Sequence, residues 1–233
     1  GLEAGLPPPG FPAPGAATLS LAAPASPEKM PWAAIADGII TLPGAGEPST
    51  FLYQFPWGHG SDHINLALSP NFASDGTAIA ESAMTVDGGA TWQPLPFADQ
   101  LKQAAAASMS VQAAAFSPNY VNNGVALISF DDWSLELGPV SEFRWTGDRG
   151  ASWQSSRIPL AAVRTLAFDA DSPDAKRIYA GGEGGVAFST DGGMTWQIVG
   201  EPLFMLSVRS LVARQENGAA VLYAATTNAG MWR

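Results

Sequence analysis

Three short stretches gather acidic and hydroxylic side chains at one fixed spacing. Thr85-Val86-Asp87-Gly88-Gly89-Ala90-Thr91-Trp92, Thr146-Gly147-Asp148-Arg149-Gly150-Ala151-Ser152-Trp153 and Ser189-Thr190-Asp191-Gly192-Gly193-Met194-Thr195-Trp196 all read Ser/Thr-x-Asp-x-Gly-x-Thr/Ser-Trp. A carboxylate between two hydroxyl residues can accept backbone N–H groups, and a Gly two positions later tolerates positive φ, so each stretch suits a tight turn. The hydroxyls before Asp and before Trp can close that turn, and the Trp ring then enters a core. The chemistry on offer is the building of a turn. Asp87, Gly89, Trp92, Asp148, Gly150, Trp153, Asp191, Gly193 and Trp196 are therefore read as structural.

Other candidate groups are sparser. His59-Gly60-Ser61-Asp62-His63 clusters ligand types, but Gly58 and Gly60 make it a loop and the chain has no further His, so no metal is expected. Ser61, Asp62 and His63 are too close in sequence to line up as a triad. Asp62, Asp131, Asp132, Glu136 and Glu183 are the carboxylates that a glycosidase-like pair would draw on. The stretch Asp131–Pro139, with Asp132, Trp133 and Glu136, is the candidate binding loop, because an aromatic in an acidic loop suits a contact surface. Gly181-Gly182-Glu183-Gly184-Gly185 reads as a β-hairpin turn and not as a phosphate loop, and no cofactor is implied.

The elements that must hold these residues recur along the chain. Leu66-Ala67-Leu68-Ser69-Pro70-Asn71-Phe72 is answered by Ala114-Ala115-Phe116-Ser117-Pro118-Asn119-Tyr120, and opening strands recur at Leu166 and Leu211. The starts are 48, 52 and 45 residues apart. Second strands are expected over 77–80, 125–130, 177–180 and 220–226, with the Asp turn following in three units. The first unit leaves little room for a separate third strand at Glu81–Met84, and the second carries an insertion at 131–139. Units of this length with about four short strands predict β-propeller blades, so the fold class is all-β, with four or five four-stranded antiparallel blades that can form part of a larger ring. Units begin near 64, 112, 163 and 208. The fourth stops at Gly230–Arg233, and the strand-like run Phe51–Phe55 is a candidate to complete it. Ala104–Ala107 is read as one helical turn between blades. Residues 1–31 are rich in Pro, Ala and Gly and form a separate arm, with the propeller over 32–233.

Composition limits the function. The 233 residues are 46% hydrophobic and 14% charged, with 25 Gly and 19 Pro, as expected of a globular chain full of turns. A formal net charge of −10 disfavours nucleic acid and anionic membrane surfaces. Cysteine is absent, which removes disulfides and thiol chemistry.

The three Asp turns, with Leu-Ala-Leu-Ser-Pro-Asn-Phe and Ile178-Tyr179-Ala180-Gly181-Gly182 beside them, resemble the Asp-box, or BNR, repeat of the sialidase-like propeller superfamily over residues 64–233. That superfamily includes sialidases, xyloglucan-cleaving hydrolases, sortilin-type receptors and photosystem II assembly factor propellers, and the chain is most similar in character to the last two. The resemblance implies that the Asp turns sit at the outer rim, away from the central funnel, with their Trp residues packed between blades. It also implies that a sialidase would carry an Arg-Ile-Pro ahead of the first Asp box. Arg157-Ile158-Pro159 instead follows the second, and no Arg precedes Arg144.

Two functions follow. The first is a non-catalytic propeller serving as an interaction or assembly subunit. Its protein partner, or a second copy of itself, would bind through the Pro-rich arm and a propeller face or edge. The second is a carbohydrate-binding or hydrolase-like propeller, with Trp32, Trp57 and Trp133 stacking on sugars. The resemblance in an acidic, cysteine-free chain implies a bacterial, extracytoplasmic setting.

Overall fold

The structure is a computed structural model, described for residues 18–22, 31–35, 38–42, 48–54, 65–98, 110–132, 140–169, 171–200, 203 and 205–233. Its strands are short because Gly, Pro, Asn and Asp punctuate the chain every few residues. The first sheet is a meander of β1 (Thr18–Ala22), β2 (Trp32–Ile35), β3 (Gly38–Thr41) and β4 (Phe51–Gln54). The second holds β5 (Leu66–Leu68), β6 (Ala78–Ala80), β7 (Ala83–Thr85) and β8 (Gln93–Pro94). The third holds β9 (Ser110–Phe116), β10 (Ala126–Asp132), β11 (Val140–Thr146) and β12 (Gln154–Ile158). The fourth holds β13 (Ala162–Phe168), β14 (Ile178–Glu183), β15 (Gly185–Ser189) and β16 (Gln197–Ile198). The fifth has three strands, β17 (Val208–Glu216), β18 (Ala219–Thr226) and β19 (Met231–Trp232).

Every pairing between these strands is antiparallel, and the strand order in each sheet follows the chain. The first strands of successive sheets, β1, β5, β9, β13 and β17, lie side by side. The core is not one mass. It is a series of clusters between consecutive sheets, such as Trp32 and Ile39 with Phe72 and Trp92, then Ile79 and Met84 with Val111 and Ile128. Leu127 and Phe143 with Val163 and Ile178, then Val186 with Leu211 and Ala224, continue it. Meander sheets stacked face to face around their first strands are the blades of a β-propeller.

Three features differ from the sequence reading. Thr18–Ala22, assigned by composition to the arm, is the inner strand of the first blade, paired with β2. The first repeat unit does have a third strand, since a two-residue turn at Glu81-Ser82 is enough to begin β7. Phe51–Gln54 pairs with β3 inside the first blade, so it does not complete the last one. Ala104–Ala107 lies outside the described residues.

Each of the second and third blades carries one turn of helix after its inner strand, α1 (Phe72–Asp75) and α2 (Tyr120–Asn123). The first helical residue of each, Phe72 or Tyr120, is buried, and Gly76 or Gly124 ends it in the left-handed conformation. The Asp turn docks here, with Gly88 N–H donating to the Gly76 carbonyl at 2.9 Å and Arg149 N–H to the Gly124 carbonyl at 3.1 Å. In the fourth blade Gly192 N–H donates to the Lys176 carbonyl at 3.0 Å. Each of these three blades is therefore pinned at one end by two turns bonded to each other.

Candidate functional site

Meander topology sorts the connections of each blade to two ends. The turn after the inner strand and the Asp turn share one, the box end. The inner strand begins at the other, the entry end, where the turn between the second and third strands also lies.

The box end is built from hydrogen bonds. Thr85 Oγ1 donates to Asp87 Oδ1 at 2.8 Å and accepts Gly89 N–H at 3.0 Å, while Asp87 accepts Thr91 N–H at 2.9 Å and the Thr91 hydroxyl at 2.6 Å. Thr146, Asp148, Gly150 and Ser152 repeat this, as do Ser189, Asp191, Gly193 and Thr195. These bonds favour the carboxylate form. Led by the Thr91 hydroxyl, they hold Asp87 down at about 2, and led by the Ser152 hydroxyl they hold Asp148 at about 2. At Asp191 partial burial pushes upward, but the bonds from Thr195 and Ser189 outweigh it and the group again sits at about 2.

The second Gly of each box faces a large side chain of the preceding blade. A Cβ at Gly89 would meet Trp32 at 2.9 Å, one at Gly150 would meet Met84 Sδ at 2.9 Å, and one at Gly193 would meet Phe143 at 2.1 Å. The box Trp residues pack the same way: Trp92 stacks on Tyr53 at 5.3 Å, Trp153 meets Phe97 edge-on at 5.5 Å and Trp196 meets Phe143 edge-on at 5.0 Å. The carboxylate, the second glycine and the tryptophan of every box are thus engaged within or between blades.

The entry end carries a different set of residues. Strand pairing slips by one residue in β9, β13 and β17, between Ser129 and Phe130 opposite Gln112, between Val163 and Thr165, and between Val208 and Ser210. The extra residues are Gln112, Arg164 and Arg209, one in each of three consecutive inner strands. A β-bulge turns its extra side chain out of the pleat, and bulges concentrate at barrel rims and beside sites. Here each extra residue is long and polar. Arg164 Nη1 donates to Gln112 Oε1, and Asn65 Nδ2 donates to the Gln112 carbonyl. Asn65 N–H in turn donates to Glu81 Oε1 at 2.9 Å. One chain of bonds therefore runs Glu81–Asn65–Gln112–Arg164 across three blades. On the far side Arg209 Nε donates to Thr227 Oγ1 at 2.9 Å and its Nη2 lies 3.9 Å from Glu183 Oε1, which also accepts the Ser207 hydroxyl at 2.9 Å.

Glu81 is the anomaly of this end. It is 2% exposed, sits at φ 49° in the β6–β7 turn, and burial pushes its carboxyl up to about 8 against one favourable bond from Asn65 N–H. It is therefore a neutral acid at pH 7.

Asp131 and Asp132 are the last residues of β10, opposite Ser141 and Val140, so the candidate loop leaves from the entry end. Trp133 and Glu136 lie outside the described residues, as do Trp57, His59, Ser61, Asp62 and His63. Among the described residues no group of three His, Asp or Glu could hold a metal ion. Sequence reasoning missed Gln112, Arg164, Arg209, Asn65 and Glu81. A bulge is a property of two paired strands, and no single run shows it. The one available signal was the Ala80-Glu81-Ser82-Ala83 stretch, where a charged residue interrupts two buried strands.

No protein-family model and no curated protein sequence matches the chain. Solved structures match in fold. An ancestral GH74 enzyme matches at 15% identity and TM-score 0.60, over 92% of this chain and 30% of that one. The GH74 enzyme of Niastella koreensis matches at 15% identity and TM-score 0.57, over 90% and 33%. The extracellular domain of a B. thetaiotaomicron protein described as a one-component system matches at 12% identity and TM-score 0.64, over 95% and 27%. The chain spans about a third of the length of these proteins. At such identity the likeness is one of propeller fold.

Proposed function

We propose that this chain is a non-catalytic β-propeller that binds a protein partner at its entry end, as a subunit of a larger assembly. The row of bulged residues Gln112, Arg164 and Arg209 carries this reading. Three consecutive inner strands each place an irregularity at a long hydrogen-bonding side chain; Gln112 and Arg164 are bonded across blades, and Arg209 is held by Thr227 of its own blade with Glu183 of the preceding one 3.9 Å away. Preorganised polar groups of this kind suit recognition, because little rotamer freedom remains to be lost on binding. Glu81 and Glu183, at this end, suit hydrolysis poorly. A glycosidase pair needs one acid and one base or nucleophile facing substrate. Glu81 is enclosed, and Glu183 is tied to Ser207 and Arg209.

The Asp131–Glu136 loop, including Asp132 and Trp133, is proposed as the adjoining part of the contact surface, and the Pro-rich residues before Thr18 as a tether to the same partner. The Asp-box assignment of the three turns belongs to this reading, with Asp87, Asp148 and Asp191 as structural residues. Among the described residues no helix is long and apolar enough to cross a membrane. One structural neighbour is an extracellular domain, and the same setting is proposed here.

The test is affinity capture from the source organism with the wild-type chain and with an Arg164→Glu/Arg209→Glu double variant, beside a glycan array and a polysaccharide hydrolysis assay. A protein retained by the wild type and lost from a folded double variant is the expected result. Glycan binding or sugar release that the double variant abolishes would replace the reading with a carbohydrate-active one.

A further inference from the structure

Two connections between blades cross the entry end with their apolar side chains buried. Leu95, whose N–H donates to the Ser82 carbonyl at 2.8 Å, is buried with Phe97 between the second and third blades. Leu160 is buried between the third and fourth, where Ala161 N–H donates to the Glu183 carbonyl at 3.2 Å. The connection from β16 to β17 departs from this. Leu203 is buried and Leu206 packs against the same core of the fourth and fifth blades, but Met205 between them is 75% exposed. Its backbone sits at φ 67°, a left-handed conformation that is disfavoured for any residue with a Cβ and rare for a bulky one. Neighbouring bonds enforce it. Met205 N–H donates to the Gly184 carbonyl at 3.2 Å, Leu206 N–H to the Leu203 carbonyl at 3.3 Å, and Ser207 forms a bridge with Glu183. An apolar side chain is thereby held out into water at a position where Gly would fit with less strain. Backbone outliers fixed in this way concentrate at ligand clamps.

We infer that Met205 is the apolar anchor of the entry-end interface and seats in an apolar pocket of the protein partner, an assignment that rests on the entry end being the partner face. Three observations select a pocket on another protein. Met205 is bonded to the hairpin of the fourth blade, on the side where the fourth and fifth blades already pack together, so a blade added to the row would stack elsewhere. A thioether has no flat ring face to lay on a sugar. One apolar side chain on a chain of net charge −10 is a poor membrane anchor. A flexible, polarizable thioether does suit an irregular pocket lined by aliphatic and aromatic groups. The residues that follow supply a polar rim. The Ser207 hydroxyl donates to Glu183 at 2.9 Å, and the Arg209 side chain is 46% exposed with its Nε on Thr227 Oγ1 at 2.9 Å. An apolar centre beside preset polar groups is the arrangement of a binding hot spot.

The probe is the protein that the wild-type chain captures and the Arg164→Glu/Arg209→Glu variant does not. Its dissociation constant should rise at least about tenfold for Met205→Ala and Met205→Gly. Met205→Leu, still apolar and similar in volume, should stay within about threefold of wild type. Val86→Ala, at an exposed box-end site, should change nothing. Benzoylphenylalanine in place of Met205 should crosslink on irradiation to the captured protein, at a stretch of apolar residues. Folding is read separately. The Met205 side chain stands in water and its φ favours Gly, so Met205→Gly should unfold at no lower urea concentration than the wild type. If no protein depends on Arg164 and Arg209 for capture, the reading of the entry end fails and the anchor with it. A partner that depends on both arginines but binds Met205→Ala as tightly as the wild type would overturn the anchor alone. So would a crosslink confined to this chain or to a second copy of it, or a Met205→Gly variant that loses stability.

Discussion

Replacing Glu81 by Gln should remove a large part of the pH dependence of stability. The wild-type carboxyl rises from 4.5 when unfolded to about 8 when folded, because the site is closed to water. The folded state therefore holds a proton that the unfolded state releases. The associated stability is complete below about pH 4.5, falls as pH rises, and is gone above about pH 8. A shift of this size corresponds to about 5 kcal/mol across that window. Gln is close in shape to the neutral acid and keeps an oxygen to accept Asn65 N–H at 2.9 Å, so it should cost little at pH 4.5. The remaining carboxylates titrate in both proteins and cancel in the difference. Urea unfolding followed by Trp fluorescence at pH 4.5, 7 and 9 measures that difference directly. The variant should gain on the wild type steadily, ending several kcal/mol ahead at pH 9. Parallel wild-type and variant stabilities, offset by a constant across the three pH values, would show that Glu81 ionises with a normal affinity and would refute the closed-site argument.

Two further substitutions probe the box end. Gly193→Ala should destabilise by about 2–4 kcal/mol, since φ is +92° and the new Cβ would lie 2.1 Å from Phe143, whereas Gly192→Ala, with φ +83° and nothing within 4 Å, should cost only about 1 kcal/mol. Equal losses in denaturant titrations would mean that strain alone acts and the blade junction tolerates the methyl. Asp148→Asn should lower the melting temperature near pH 6, and the gap to wild type should close as pH falls. The carboxylate, held at about 2, contributes while it is ionised and stops contributing once acid protonates it. A gap that stays constant down to about pH 2 would mean that the charge of the box is irrelevant to its turn.

Why the box end was legible in the sequence and the entry end was not has a physical answer. The box closes on itself: Asp148 bonds only residues within four positions, so its requirement is written as a local pattern. The bulges depend on partners such as Gly181 and Ala225, which come from another strand, and a run like Ser110-Val111-Gln112-Ala113 shows only alternation. The first blade was legible in part for a related reason. Thr18–Ala22 sits among prolines that mark an arm, yet it gains a partner in β2 that composition does not reveal. Pairing supplies what propensity withholds.

The two ends of a blade thus face opposite demands. At the box end each turn must hold two strands and also fit the blade before it, which explains why Gly193 packs on Phe143 while Trp196 Nε1 donates to the Gly193 carbonyl at 3.0 Å. A residue so constrained has no freedom to serve a ligand. At the entry end the inner strands bury Val111, Val163 and Val208 at 1%, 0% and 0%, and the next residue in each strand is the bulged one. Gln112, Arg164 and Arg209 are therefore extra to the ladder between positions that the core fills, with Gln112 itself 6% exposed and the Arg209 side chain open to solvent. Arg209 is exposed and bonds Thr227 of its own blade, so substitution there should separate binding from stability where those at Asp148 or Gly193 do not, whereas Arg164, bonded to Gln112 across a blade junction, should affect both.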